Sequence, residues 1–523
     1  MAYAGLPPQR HPILYLIEKA EQDWEDLLNR QSSTLQEAVS EYKKRYKRSP
    51  PKGFDAWWKF ATNNNIQLVD EYDSIMRDME PFFALPPRLL GARAYRLAHD
   101  PSFGPAMQSF TMNIQGGKLE MTGPLATSGR AEETRALLEG IAKYLPDMQA
   151  TFTGHDGPGI FLSGEKKQKY IEYARAGKYF TEAEAEETGD QAEHHGWSGA
   201  CPPGSNWRKS LYGIGLPKPS THSFITDVEE SCDVCKHPDQ TTQHGFFLWT
   251  GPLPSLLYPL FTWAKTSVHS DILVTPLEQY HLSVGPDPKW DDKPYNKLLW
   301  RGSTTGAAFN RDSHWRSSQR SRLVLMGSEQ EGQRTIHWAD KDGVLRATEE
   351  PVADLNKRYL DVAFTGRPAQ CNNDGTCDAM ARVFDFQKGM GQEEANQYKY
   401  IFDMDGNGWS GRFHRLLMSN SAILKSTVMP EWYQQRIMPW VHYIPVKVDY
   451  TDLYDILAFF IGGPDGRNGH DELGRKIAKQ GQEWARYHWR EVDMQAYLFR
   501  LFLEYSRLLE RTEEDPGRAD YLG

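Results

Sequence analysis

Cysteine is scarce, with five in 523 residues. So small and odd a number excludes a disulfide-dense scaffold. CxxC occurs once, Cys232 to Cys235, so the usual four-ligand zinc pattern does not assemble from spacing. The expected arrangement is one or two loop disulfides in an oxidising compartment, with one thiol left over. The polar turn Cys371–Cys377 suits a short clip, while Cys201 can pair with Cys232 or Cys235 and the sequence leaves both open. A basic excess is also lacking: 60 Lys plus Arg face 70 Asp plus Glu, a net charge of −10. That balance argues against a nucleic-acid binder. The nearest thing to a membrane span, residues 245–264, is broken by Pro252, Pro254 and Pro259 and reads as buried core. Met1–Pro12 is short and proline-containing, so no signal peptide is expected there. No internal repeat or extended low-complexity tract is present.

What is abundant is aromatic surface, 16 Trp and 25 Tyr within a hydrophobic fraction of 39%. Flat rings suit the C–H faces of sugars, although most aromatic residues serve as core. The length exceeds one typical core, so two large lobes with extensions are expected. Residues 12–48 have helical periodicity with mixed charge and end in the run KKRYKR before Pro50 and Pro51. Gly53–Asn63 and Ile66–Met79 read as further helices, and Pro86 and Pro87 mark a boundary. Short strands and helices alternate from about Ala92 to Pro294, with long loops at 181–245. Strand–helix alternation from Lys297 to about Asp465 suggests an open parallel sheet. Glu472–Leu509 is amphipathic and helical.

The most informative stretch is Tyr398–Lys425, YKYIFDMDGNGWSGRFHRLLMSNSAILK. Tyr398, Tyr400 and Phe402 alternate as in a strand, Gly406, Gly408 and Gly411 break it, and Phe413, Leu416 and Leu417 share a helical face. A glycine-rich turn lets backbone N–H groups approach an anion, and the helix dipole favours negative charge there. Arg412 runs against that dipole, which a bound phosphate would explain. The stretch reads as a site for the diphosphate of a nucleotide-sugar. Arg301-Gly302-Ser303, after the strand Leu298–Trp300, is a second anion candidate. Arg316, Arg320 and Arg322 on the following helix default to a basic surface face. Asp403-Met404-Asp405 imitates a DxD manganese motif, and DMDGNG the start of a calcium loop. His414 at the twelfth position is not the bidentate Glu that calcium needs, so no essential metal and no cofactor is expected. The aspartates are expected to close the turn or orient Arg412 or Arg415.

PPKGFDAWWKFA (50–61), LPDMQATFTGHDGP (145–158), FTWAKTSVHSDI (261–272), LLWRGSTTG (298–306) and PWVHYIPVKVDYTDL (439–453), with Tyr398–Lys425, resemble glycosyltransferase family 90, in that family's order. The family contains fungal capsule-associated xylosyltransferases and animal protein O-glucosyltransferases, and PPKGFDAWWKFA looks like the fungal branch. The resemblance implies an α/β fold of GT-B type, two Rossmann-like lobes facing a cleft, with an N-terminal helical extension and a C-terminal helix packing back on the first lobe. The implied division is 1–91 helical stem and extension, 92–294 acceptor-side lobe with the catalytic base, 295–465 nucleotide-sugar-binding lobe, and 466–523 C-terminal helices.

The same resemblance implies an inverting transfer of xylose or glucose from UDP-xylose or UDP-glucose to a mannose-containing glycan or glycoconjugate. Alternatives are protein O-glucosyl- or O-xylosyltransfer, or an inactive lectin-like member. Asp156, in Gly154-His155-Asp156-Gly157-Pro158, matches the family's base, one carboxylate that takes the acceptor proton. Asp-Gly-Pro is by itself a turn signal, and His155 beside it can tune its pKa. Arg301, Gly302, Ser303, Gly408, Trp409, Ser410, Gly411 and Arg412 match donor-contacting segments. Lys265 matches a donor–acceptor junction, although Ala264 replaces a serine of the animal branch and an ion pair accounts for Lys265 equally well. Glu431 is a candidate acceptor for ribose hydroxyls. Family members sit in the Golgi or ER lumen behind an N-terminal anchor, so a membrane partner is expected only through such an anchor. No nucleic-acid partner is expected.

Overall fold

The structure, a computed structural model, describes residues 10–188, 196–211, 222–249, 251, 253–277, 280 and 283–523. Most of the opening stretch judged free of a signal peptide, and parts of the long loops at 181–245, lie outside these residues. The first sheet contains β1 (Ser109–Gln115), β2 (Lys118–Thr122), β3 (Met148–Thr153), β4 (Leu260–Thr262) and β5 (Ile272–Leu273). Its order is β2-β1-β3-β4-β5, antiparallel through β3 and parallel beyond it.

The second sheet is built from β6 (Tyr295–Gly302), then, past an antiparallel hairpin of β7 (Gln333–Ala339) and β8 (Leu345–Pro351), from β9 (Leu360–Thr365), β10 (Phe386–Gln387), β11 (Tyr398–Met404), β12 (Ala422–Ser426) and β13 (Ile444–Pro445). All its pairings are parallel, in the order β10-β9-β6-β11-β12-β13. The chain moves outward from β6 through β9 to β10, then returns to β11 on the other side of β6. This reversal makes β6 and β11 a topological switch point, where ligands of open parallel sheets bind at the strands' carboxyl ends.

Both faces of this sheet are covered, as parallel pairing requires. Along β11, Tyr400, Phe402 and Met404 enter one buried cluster, with Leu298, Trp300 and Leu424, while Ile401 joins a second with Leu299 and Ile423. Asp403 alternates with Phe402 and Met404, and it is fully buried. Its register partner on β12 is Lys425, whose ammonium donates to it at 2.9 Å. A buried carboxylate of this kind is tolerable only with such a partner.

The expected helix over 12–48 is two helices, Pro12–Asn29 and Leu35–Tyr46. Thr34 breaks it by accepting the Glu37 N–H while Glu37 reaches back, a reciprocal cap that starts a new helix. The expected helix over 66–79 begins only at Asp73. The first helix buries Ile13, Leu16 and Ile17 in the second sheet's core. Helix Asp471–His488 lies against β12, and helix Glu491–Glu510 packs on the first sheet's helices.

Among the described residues no helix is long and apolar enough to cross a membrane. Disulfides join Cys201 to Cys235 and Cys371 to Cys377, leaving Cys232 free and buried. Burial pushes the Cys232 thiol up to about 12, so it stays protonated and unreactive. The bridges close intervals of 34 and 6 residues. By chain entropy, replacing both cysteines by serine should cost about 4 kcal/mol for the first pair and about 2 kcal/mol for the second. Urea unfolding of the two double variants should therefore rank them in that order.

Candidate active site

The loops at the carboxyl ends of β6 and β11 enclose, with the loop after β3, a cavity of about 490 Å³. That falls within the roughly 300–1,000 Å³ usual for ligand sites. Four arginines line it, Arg130, Arg301, Arg320 and Arg412, against one carboxylate, Asp156. The cavity is therefore strongly electropositive.

Two of the arginines have acidic partners. Arg130 donates to Asp156 Oδ1 at 2.5 Å and to the Gly154 carbonyl at 2.8 Å. It lies in the first turn of helix Gly129–Glu139, where a cation opposes the helix dipole, and these acceptors offset that. Arg301 donates to Asp361 Oδ1 at 2.5 Å and to the Asp361 carbonyl at 2.7 Å, so β9 holds its charge.

Arg320 and Arg412 have no carboxylate in ion-pair contact among the described residues. Arg320 donates to the Asp405 carbonyl (3.2 Å), the Ser303 carbonyl (3.1 Å) and Thr305 Oγ1 (2.8 Å). Arg412 donates to the Arg301 carbonyl at 2.9 Å. Burial and then the charge of Arg412 push the Arg320 guanidinium down to about 10. Two like charges held this way on carbonyls and a hydroxyl suit a dianion.

Asp156 follows β3 and remains 40% exposed at its side chain. Asn407 donates to its Oδ2 at 3.0 Å, while Asn407 Oδ1 accepts the Gly306 N–H at 3.1 Å. One amide thus ties together the loops after β3, β6 and β11. Burial disfavours the charged form of Asp156, but the hydrogen bonds from Arg130 and Asn407 outweigh it and hold the carboxyl below its ordinary value. It is an ionised acceptor at neutral pH, each oxygen keeping a lone pair for another donor.

Gly408 is buried against this loop: a Cβ there would lie 2.1 Å from the Asp156 carbonyl oxygen. Only glycine allows so close an approach. Trp409 is 7% exposed, with the Arg130 guanidinium 5.1 Å from its ring centre. Ser410 Oγ donates to Asp403 at 2.5 Å, closing the turn onto β11. Gly302, Ser303 and Gly411 also line the cavity. The glycine-rich turn leads into a helix of five residues, Phe413–Leu417, with Arg412 at its N-cap. A single turn carries little macrodipole, so the arginines supply most of the field expected from the helix.

Three sequence candidates stand apart from the cavity walls. Lys265 is held by Asp78 at 2.5 Å and by the Asp271 carbonyl at 2.7 Å, a structural ion pair. Glu431 is 1% exposed, accepts the Tyr433 hydroxyl at 2.6 Å and faces Lys425 at 3.9 Å. Burial pushes it up to about 8 against the pull of Lys425. His155 is exposed beside Asp156. Asp403 and Asp405 do not orient Arg412 or Arg415: Asp405 accepts from Thr427 (2.7 Å) and the Val428 N–H (2.8 Å) instead.

Sequence reasoning missed Arg130, Asn407 and Thr305, and set Arg320 on a surface face. Arg316 is exposed, and Arg322 is committed to the carbonyls of Gln243, Ser317 and Val448. Arg130 has no sequence signal beyond the Ser128 helix cap two residues before it.

These features define an α/β protein with an arginine-rich cleft at a switch point and one carboxylate opposite. Residues 331–522 match the family model described as Glycosyl transferase family 90. The chain therefore carries a glycosyltransferase family 90 domain. It is 34% identical over 116 residues to Protein O-glucosyltransferase 1 of Rattus norvegicus, covering 22% of this chain and 27% of that protein. The Homo sapiens protein of the same name is 33% identical over the same shares. Protein O-glucosyltransferase 2 of Danio rerio is 24% identical over 269 residues, 48% of this chain and 43% of that protein. The chain thus spans less than half the length of these relatives. Trp409–Arg412 fall inside the family match, while Arg130, Asp156, Arg301 and Arg320 precede it.

Proposed function

We propose that this protein transfers a sugar from a UDP-sugar to a hydroxyl acceptor with inversion at the anomeric carbon. The carrying observation is the pair Arg320 and Arg412, neither in ion-pair contact with a carboxylate among the described residues, in a cavity lined by one described carboxylate, Asp156. The acceptor oxygen attacks the anomeric carbon while its proton passes to an Asp156 oxygen. The bond from that carbon to the diphosphate breaks on the opposite face, and UDP leaves with its new charge held by Arg320 and Arg412. In this reading the two sheets are the lobes of a GT-B arrangement.

No resident metal is part of this reading; Asp403 and Asp405 are buried and accept hydrogen bonds from Ser410, Lys425, Thr427 and Val428, which supports a structural role for this pair. The fungal look of PPKGFDAWWKFA favours UDP-xylose and a mannose-containing acceptor. The names of the relatives favour a second reading, glucose placed on a protein hydroxyl. Two disulfides fit an oxidising Golgi or ER lumen.

UDP release tests this directly, measured in EDTA with UDP-xylose and UDP-glucose, with and without an α-mannoside or a folded protein acceptor. Acceptor-dependent release is the expected result. UDP binding without release under every condition would instead mark an inactive, lectin-like protein. Arg412→Ala should weaken UDP binding roughly 10–100-fold, the worth of one charged hydrogen bond; unchanged affinity by calorimetry would remove Arg412 from the site. Arg130→Gln removes the main force lowering the Asp156 pKa, leaving burial opposed chiefly by the Asn407 hydrogen bond. The acid limb of kcat/KM, expected below the usual aspartate value of about 3.9, should then move to higher pH in a pH–rate profile.

A further inference from the structure

Away from the cleft, three segments bring donor atoms to one point. His337 lies in β7 of the hairpin inserted between β6 and β9. Asp455 lies near the start of helix Leu453–Ile461, and His222 lies in the segment leading to helix Val228–Ser231. His222 Nδ1 is 2.7 Å from His337 Nδ1 and 2.9 Å from Asp455 Oδ2, and His337 Nδ1 is 3.6 Å from that same oxygen. None of the three lines the arginine-rich cavity.

A hydrogen-bond account of this triangle is strained. An imidazole nitrogen has a single in-plane position, holding either a hydrogen or a lone pair. His222 Nδ1 nevertheless stands within hydrogen-bond distance of two atoms at once. One proton there must be shared between them, or two lone pairs must face each other beside a carboxylate. A cation at the centre gives each of the three donors a direct partner.

We propose that His222, His337 and Asp455 form a binding site for a divalent transition-metal ion of the zinc class. Two imidazole nitrogens and one carboxylate oxygen are a borderline donor set that suits zinc; calcium and magnesium take oxygen ligands. Asp455 Oδ1 also accepts the His337 backbone N–H at 2.8 Å, which orients the carboxylate as supporting bonds do around metal centres. The Asp455 side chain is 3% exposed, against 36% for His222 and 20% for His337, so the fourth position faces solvent. The ion clamps the inserted hairpin and the His222 segment to the helix beneath them. It takes no part in the sugar transfer proposed above, and the site stands or falls independently of it.

The test uses the full chain, stripped with EDTA, freed of chelator and titrated with Zn²⁺. Metal content after gel filtration and the thermal transition are both measured. The wild type should retain stoichiometric zinc and melt at a higher temperature with it. His222→Ala and His337→Ala should each bind zinc at least about tenfold more weakly and lose the thermal gain. Both should still melt cooperatively near the wild-type temperature in zinc-free buffer, showing that they fold. No zinc retained by the wild type, or equal retention by the wild type and both variants, would overturn the proposal. His222 is the more informative position because its side chain is the more exposed of the two histidines, 36% against 20%.

Discussion

Asp156→Asn is expected to lower kcat by about 10²–10⁴-fold, the usual worth of a positioned general base, while UDP affinity persists. The substitution keeps the shape of the side chain and an oxygen for Arg130, but its neutral amide cannot take a proton from an acceptor hydroxyl. Arg320 and Arg412 make their contacts on other segments and keep them. Single-turnover kinetics with UDP calorimetry separates the two effects. Full turnover in Asp156→Asn would reject this base; lost UDP binding together with lost turnover would mean that Asp156 holds the loops in place.

The second large effect is expected from a residue with no side chain. Gly408→Ala places a methyl carbon 2.1 Å from the Asp156 carbonyl oxygen, far inside contact distance. The neighbouring atom is backbone, so no rotamer change relieves the clash. The glycine-rich loop after β11 and the loop carrying Asp156 must then separate, and Asn407 loses its bridging position between them. A misplacement of about 1 Å at a reacting centre can cost roughly 100-fold in rate, and a loss of that order is expected in kcat. The cooperative thermal transition should remain, because Gly408 sits at a loop contact outside the strands. A variant with wild-type kcat would show that the two loops are not held in register by this approach.

Local pattern was enough for the strand, turn, helix and strand at 398–426. Alternating aromatics, three glycines and a short apolar face act over neighbouring residues, where chain geometry dictates the outcome. Proximity likewise made the Cys371–Cys377 clip legible, since six residues bring the thiols together without help. Burial changed the reading of the charged residues. Lys265 and Glu431 resemble site residues in sequence, yet each is spent inside the protein on Asp78 or on Lys425 and Tyr433. Arg320 resembles a surface residue and faces the cavity.

The choice of Cys235 over Cys232 for Cys201 also lay beyond sequence. Cys232 is turned toward the Thr427 carbonyl, 195 residues away. By itself the sequence determined the strands leading to Asp156, Arg301 and the glycine-rich turn, where glycine opens a loop, and that an arginine stands beside it. Tertiary structure decided which arginines pair with a carboxylate, as Arg130 does with Asp156, and which rest on carbonyls and a hydroxyl. Those outcomes depend on contacts such as Asn407 with Asp156, 251 residues apart. Desolvation and pairing act on whatever the completed fold brings together, and sequence spacing carries no record of it.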